Sequence, residues 1–338
     1  MSAPLFSIVI LTKNSLGVVN RLVESLRRQN FAYEYEVLFM DNGSSDGTVA
    51  YLESLSLPQC RVYDVAAGEF SHSGTRMRAA ELARGRYVVF FTDDIVPCGD
   101  DFLENLTRPV RTGQAAAAYG VWQISPEMGH DPIDAYLHNG WFKSMDDFSE
   151  PVSPYCWSHF SAPMQRRLCN FDNCSSCIDR ELLLELLFPA VPYGEDMLFA
   201  KRLILSGRRV ALSKEARFIH WHRVKFGYIL RRMCIDQDLS VREFRIYYVS
   251  RLLGVFKAIL KRVLHRTYVG LFKVKIPFFK KIYWIVYNAK VLTADFWGKY
   301  IGTLDPSRLG GCSWLKKRLY ARKLKIINDI ERKSIRRY

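Results

Sequence analysis

The sequence predicts an α/β fold, a doubly wound parallel sheet followed by a basic helical region. Three observations carry this. Apolar runs alternate with amphipathic stretches through residues 6–97 at the spacing of strand–helix units. Several runs are unbroken, as in Val88-Val89-Phe90-Phe91, which suits strands buried on both faces. Charge then divides the chain: residues 1–222 carry a net −6 and residues 223–338 a net +21.

The elements follow in order. Phe6 to Thr12 reads as a buried first strand, broken by Lys13-Asn14-Ser15. Val19, Leu22, Val23 and Leu26 recur at helical spacing, with Arg21, Glu24, Arg27 and Arg28 between them. Tyr35 to Met40 is a second strand running into the turn cluster Asp41-Asn42-Gly43-Ser44-Ser45-Asp46-Gly47-Thr48. Ser45 or Asp46 can cap a helix over 48–55. Cys60 to Val65 is a short third strand, and Arg76 to Ala83 is helical up to Gly85. The fourth strand, Val88 to Phe91, ends in Thr92-Asp93-Asp94, and Pro97 closes the run.

Beyond Gly99 the pattern loosens. Residues 113–121 can add a strand, and 128–163 hold many turn residues and aromatics without periodicity, as binding loops or lids do. Helices are expected over 179–187 and 195–206, the latter stopped by Gly207. Short strands at 209–212 and 218–219 precede His220-Trp221-His222. After 223 the pattern is helical and basic. Val249, Leu252, Leu253, Phe256, Ile259, Leu260 and Val263 share a face, with Arg251, Lys257, Lys261 and Arg262 off it. Packing on the main domain and docking on a membrane surface are the two readings of such a helix.

The bulk numbers bound the function. A chain of 338 residues with 49% apolar and 25% charged content has ample core for one large domain and a smaller one. The first residues show no basic n-region or cleavable apolar core, so no signal peptide is expected. No stretch reaches the length of a membrane span. The eight cysteines are expected as reduced thiols, and localisation as cytoplasmic. The basic segment points to a polyanion or an anionic membrane surface as its partner.

Four clusters can carry chemistry. Two adjacent carboxylates, Asp93 and Asp94, stand at a strand end, where open α/β sheets bind ligands. A hard divalent cation there takes oxygen ligands and leaves positions for a diphosphate; a solvated loop is the alternative. The loop at 41–48 offers a carboxylate and an amide to a base or ribose, or is a plain strand-to-helix turn. Glu195 and Asp196 open a helix, where acids either complement the dipole or supply a general base. His220 and His222 project to one side of an extended segment, as metal ligands or as a hydrogen-bonded pair. His72 and Arg76 flank a turn at Gly74 and can face a phosphate. Cys174-Ser175-Ser176-Cys177 has CxxC spacing but no matching second pair, a weak zinc signal.

In combination these motifs resemble the family 2 glycosyltransferases of GT-A fold. The resemblance rests on Ser7-Ile8-Val9-Ile10-Leu11-Thr12, Asp41 to Thr48, Thr92-Asp93-Asp94 and Gly194-Glu195-Asp196, and covers roughly 1–222. Phe70 to Arg76, Asn173-Cys174-Ser175-Ser176, His220-Trp221-His222 and Trp297 to Gly302 are similar to the bacterial rhamnosyltransferase branch. Two departures concern the donor sugar: Ser71-His72-Ser73-Gly74-Thr75-Arg76-Met77 replaces the usual Asn-His-Gly-Gly-Thr-Arg-Asn loop, and Asn42 stands where many relatives have Asp.

The resemblance implies a doubly wound mixed sheet. It implies a catalytic domain over 1–222, with a nucleotide-sugar half at 1–97 and an acceptor half at 98–222, then a basic amphipathic helical region at 223–338. Thr12, Asn14, Asp41, Asn42, His72, Arg76 and Asp93 would bind the donor. Asp93 and Asp94 would stand for the family's DxD-type motif, with Asp94 the direct ligand of Mg²⁺ or Mn²⁺ and His220, or its rival His222, as a further ligand. Asp196 would be the catalytic base, with Glu195 beside it. The implied partners are a nucleotide diphosphate sugar, with dTDP-rhamnose as the candidate, a glycan or lipid-linked acceptor, and the anionic inner face of the cell membrane. A sugar nucleotidyltransferase would need a Gly-rich basic loop after the first strand, and Lys13-Asn14-Ser15-Leu16-Gly17 does not supply one. A nucleic-acid-binding protein would explain the basic segment but leave the acidic pairs idle.

Overall fold

A computed structural model of the protein describes residues 3–57, 59–66, 68–305 and 314–332. The end of the basic segment, 333–338, lies outside the described residues. The chain forms two compact units, residues 1–123 with 141–220 and residues 124–140 with 221–338.

The first unit is built on a nine-stranded mixed sheet. Its first half alternates as the sequence expects: β1 (Phe6–Thr12), α1 (Val19–Arg27), β2 (Tyr35–Asp41), α2 (Thr48–Glu53), β3 (Cys60–Asp64), α3 (His72–Leu82) and β4 (Tyr87–Thr92). Strands β1, β2, β3 and β4 are parallel. After a two-residue strand β5 (Val96–Pro97) come α4 (Phe102–Arg111) and β6 (Ala117–Gln123). Side chains along β4 show why the runs are apolar throughout. Val89 and Phe91 pack with Leu22, Leu26, Phe102 and Leu106 of α1 and α4 on one face. Val88 and Phe90 pack with Ala79, Ala80, Phe199 and Leu203 on the other. Each fully buried Phe or Leu contributes about 1.5–3 kcal/mol.

The irregular stretch at 128–163 contains short helices: α5 (Pro132–His138), α6 (Pro154–His159) and, just beyond, α7 (Ala162–Leu168), with the two-residue strand β7 (Phe148–Ser149) among them. Then come β8 (Ser175–Asp179), α8 (Arg180–Leu186), α9 (Glu195–Leu205) and β9 (Val210–Ile219). The sheet order is β3-β2-β1-β4-β8-β6-β9-β5, with β7 on β9. Two sequence expectations change. The residues at 209–212 and 218–219 belong to a single strand, β9. Strand β8, which the apolar pattern did not announce, runs antiparallel between β4 and β6; the sheet is therefore mixed, as the resemblance implies, and not parallel throughout, as the strand–helix alternation alone suggests. Its buried positions include Ser175 and Ser176, so it has no apolar run to read.

The second unit is helical: α10 (Phe226–Phe244), α11 (Leu252–Tyr268), α12 (Phe278–Thr303) and α13 (Trp314–Arg332). It also takes in 124–140, which a division at residue 222 leaves with the first unit. The reason is packing: Ile133 of α5 is buried among Val269, Val274 and Trp284. Asn288 adds a hydrogen bond of 2.7 Å to the Asp131 carboxylate. Helix α12 lies close on α10 because of Gly298 and Gly302. A Cβ at either would strike the α10 backbone, at the Leu230 and Cys234 carbonyls respectively. No helix among the described residues is long and apolar enough to cross a membrane.

Candidate active site

The parallel half of the sheet aligns its strand ends. Thr12 pairs in register with Asp41, and Leu11 with Thr92, so the loops after β1, β2 and β4 open on one edge. The Thr12 hydroxyl donates to Asp41 at 2.8 Å. Asp41 also accepts from the Ser44 backbone N–H at 2.7 Å and from the Ser44 hydroxyl at 2.6 Å. Asp41 thus braces its own loop. Asn14 has a left-handed backbone, with φ of 48°. Its side chain accepts from Ser45 N–H at 2.8 Å and its N–H donates to Ser44 Oγ at 2.7 Å, so the β1 and β2 loops are tied together. Lys13, which the sequence marks only as a strand breaker, donates its ammonium to the carbonyls of Asn42 and Gly43.

The two adjacent acids face different ways. Asp93 is fully buried and accepts a hydrogen bond from the Ser15 hydroxyl, which holds the β1 loop against β4. Asp94 instead meets His220, whose Nε2 lies 3.5 Å from its Oδ1. Register explains the meeting. Val96 pairs antiparallel with Ile219, so the residue after β9 returns alongside the residues before β5. His222 is two residues further on and belongs to the second unit. A carboxylate oxygen and an imidazole nitrogen, both largely shielded from solvent, fit a divalent cation; nitrogen ligation suits Mn²⁺ better than the oxygen-seeking Mg²⁺.

Around this edge several buried polar atoms have no hydrogen-bond partner: Asn42 Oδ1, Thr75 Oγ1, Thr92 Oγ1, Asn173 Nδ2 and Ser175 Oγ. Orphaned buried groups of this kind are rare in native proteins and mark places where a ligand or ordered water completes the bonding. Asn173 and Ser175 flank the start of β8, the strand the apolar pattern does not reveal, and only motif resemblance points to them in the sequence.

Gly194 precedes α9 with φ of 78°, a left-handed turn that presents Glu195 and Asp196 at the helix start. Glu195 is buried and takes a 2.6 Å ion pair from Arg76 of α3, both side chains under one-tenth exposed. Arg76 therefore braces the acidic pair, and its guanidinium also lies over the Phe90 ring. His72, at the first turn of α3, packs edge-on against Phe70. Asp196 accepts from its neighbour Met197 N–H at 2.7 Å. Burial, then the charges of Glu195 and Asp172, push the Asp196 carboxyl up to about 7. A carboxylate that titrates near neutrality can take a proton at working pH. The CxxC cysteines do not form a comparable site: Cys177 is buried within β8, and burial pushes its thiol up, away from the thiolate a metal needs.

The fold is of the GT-A kind. Residues 7–168 match the model of the family described as Glycosyl transferase family 2, and the chain carries a glycosyltransferase domain of that family. Over 224 residues it is 23% identical to the O-antigen chain rhamnosyltransferase RfbN of Salmonella typhimurium, a match covering 64% of this chain and 66% of that relative. The chain thus spans about two thirds of the relative's length. Among solved structures it is similar to the mannosyltransferase PcManGT from Pyrobaculum calidifontis, solved in complex with GDP-Man and Mn²⁺. The TM-score is 0.54 and the identity 17%, over 96% of this chain and 81% of that one, a likeness of fold.

Proposed function

We propose that the protein is an inverting, metal-dependent glycosyltransferase. It moves a sugar from a nucleotide diphosphate donor to a hydroxyl of a bacterial surface glycan or its lipid-linked precursor. The observation that carries this is Asp196, a carboxyl at the start of α9 raised to about 7 and held beside the Arg76–Glu195 ion pair. The acceptor oxygen attacks the anomeric carbon on the face opposite the diphosphate and gives its proton to Asp196. The bond from that carbon to the diphosphate oxygen breaks, and its electron pair leaves with the nucleoside diphosphate. Thr12, Asn14, Asp41 and Asn42 shape the nucleoside end, with His72 near the phosphates; Arg76, buried against Glu195, braces the acidic pair instead. Asp94 and His220 would hold Mn²⁺ or Mg²⁺, with His222 as the rival to His220; Asp93, turned inward to Ser15, would brace the loop beside them. The cation, when bound, neutralises charge on the diphosphate leaving group.

The O-antigen relative, a rhamnosyltransferase, supports rhamnose as the sugar, and dTDP-rhamnose is the donor we propose for it. The Pyrobaculum calidifontis neighbour, solved with GDP-Man and Mn²⁺, supports a nucleotide-sugar donor and a divalent ion. The basic segment after residue 222 would hold the enzyme at the anionic cytoplasmic face of the membrane, where a lipid-linked acceptor is found.

Asp196→Asn is expected to lower kcat by about 10²–10⁴-fold while donor affinity, measured by calorimetry, is kept. Turnover near the wild-type rate overturns the assignment of the base. Asp94→Ala is expected to abolish the gain in donor affinity on adding Mn²⁺; an unchanged gain removes Asp94 from the metal site.

A further inference from the structure

Helix α11 presents an apolar stripe to solvent. Val255 is buried, and Leu252 and Ile259 are partly buried, beside Tyr300 and Trp297 of α12. On the other side Leu253, Phe256, Leu260 and Leu264 stand 54–65% exposed. They recur at steps of three and four residues, so they line one face. Lys257 and Lys261 are exposed on that same side, each one position after a stripe residue. The face continues through Tyr268 and Phe272, 50% and 71% exposed, and at the start of α12 Phe279 is 86% exposed. The structure thus divides the apolar set that the sequence puts on one helix face, turning Leu252 and Ile259 inward and leaving Leu253, Phe256 and Leu260 outward.

Charge identifies what covers this stripe. Residues 244–294 contain no Asp or Glu, while Lys and Arg recur throughout. Docking a second copy of the same face would set Lys257 and Lys261 against their own counterparts without a compensating acid, which is unfavourable in an isologous contact. A polyanion without an apolar layer would leave four large side chains in water. An anionic bilayer meets both demands: headgroup phosphates for the lysines, and the boundary of the acyl region for Leu and Phe.

We infer that α11 is an interfacial anchor that lies in the plane of an anionic lipid surface and inserts Phe256, Leu260 and Leu264, with Lys257 and Lys261 on the headgroups. This rests on the proposed membrane contact of the basic segment and names the surface that makes it.

The test uses the full chain, vesicles of phosphatidylcholine with and without phosphatidylglycerol, and sedimentation at low and high salt. The wild-type protein is expected to bind only the anionic vesicles and to keep part of that binding in high salt. Leu260→Ser with Leu264→Ser, both at exposed positions, is expected to lower partition about tenfold or more and to make the remainder fully salt-sensitive. Lys257→Gln with Lys261→Gln is expected to lower low-salt binding and spare the salt-resistant part. Failure of the wild-type protein to bind anionic vesicles overturns the membrane contact itself. Wild-type binding by the Leu→Ser pair overturns only the α11 anchor. Loss of a dimer in that pair, by light scattering without lipid, assigns the stripe to a second copy and overturns the inference. Preference for duplex DNA over vesicles, unaffected by the Leu→Ser pair, also overturns it.

Discussion

Asp196 is the residue proposed as the base, and its environment sets its pH behaviour. As a base it must be ionised, so kcat/KM is expected to fall about tenfold per pH unit below roughly 7. Burial and the Glu195 and Asp172 charges raise its pKa, while Arg76 opposes them. Glu195→Gln removes a neighbouring negative charge and frees Arg76, so the acid limb should move to lower pH; a limb that stays in place would detach Asp196 from the pH profile. The same shift has a stability consequence. A carboxyl raised from 3.8 to about 7 favours the folded state at low pH, and that contribution is lost as pH rises through 7. Asp196→Asn should therefore raise Tm at pH 8 and leave it nearly unchanged at pH 4. Glu36 runs the other way. Burial alone would raise its pKa, but Ser7, the Arg84 N–H and side chain, and Arg61 together lower it below 4.5. Its contribution is present above that value and lost as pH falls through the lowered one. Glu36→Gln is expected to cost about 1–3 kcal/mol at pH 7, read by urea unfolding.

Among the elements, legibility followed chemistry. Strands β1, β2 and β4 are apolar runs buried on both faces, and periodicity finds such runs. Strand β8 hides because its inward side chains include Ser175 and Ser176, and inter-strand hydrogen bonding leaves no mark on composition. The two orphaned polar atoms at its start, on Asn173 and Ser175, are pointed to by motif resemblance and not by the apolar pattern. Helix α12 shows a converse case. Gly298 and Gly302 looked like family signature residues, and the structure gives them a packing task, since each lets the α10 backbone approach. Gly302→Ala is expected to destabilise the protein by about 1–3 kcal/mol, measured by thermal unfolding. A smaller loss than for an exposed glycine such as Gly140 would contradict the close approach.

For the whole molecule, the division of charge is the dominant fact. A segment of +21 follows one of −6, so association with anionic surfaces should weaken steeply with salt. Replacing Lys280 and Lys281 by Gln is expected to lower the salt needed to elute the protein from a cation exchanger, with turnover of a soluble acceptor unchanged. The two units have their own cores, and the segment 124–140 joins the second although the chain places it inside the first. Nothing in that segment's composition announces this, because Ile133 would be equally apolar in either core.

The sequence by itself determined the α/β class, the strand-end location of the acids, the Glu195–Asp196 pair and the basic helical region. Each is written in local pattern: apolar runs, turn residues, helix-start acids and net charge. Only the tertiary structure decided that Asp93 turns inward to Ser15 while Asp94 meets His220, that Arg76 braces Glu195, and that α11 leaves half its apolar residues in solvent. Those outcomes depend on register between β5 and β9 and on which face of a helix finds a partner. Both are set by contacts between residues far apart in the chain, and no local pattern encodes them.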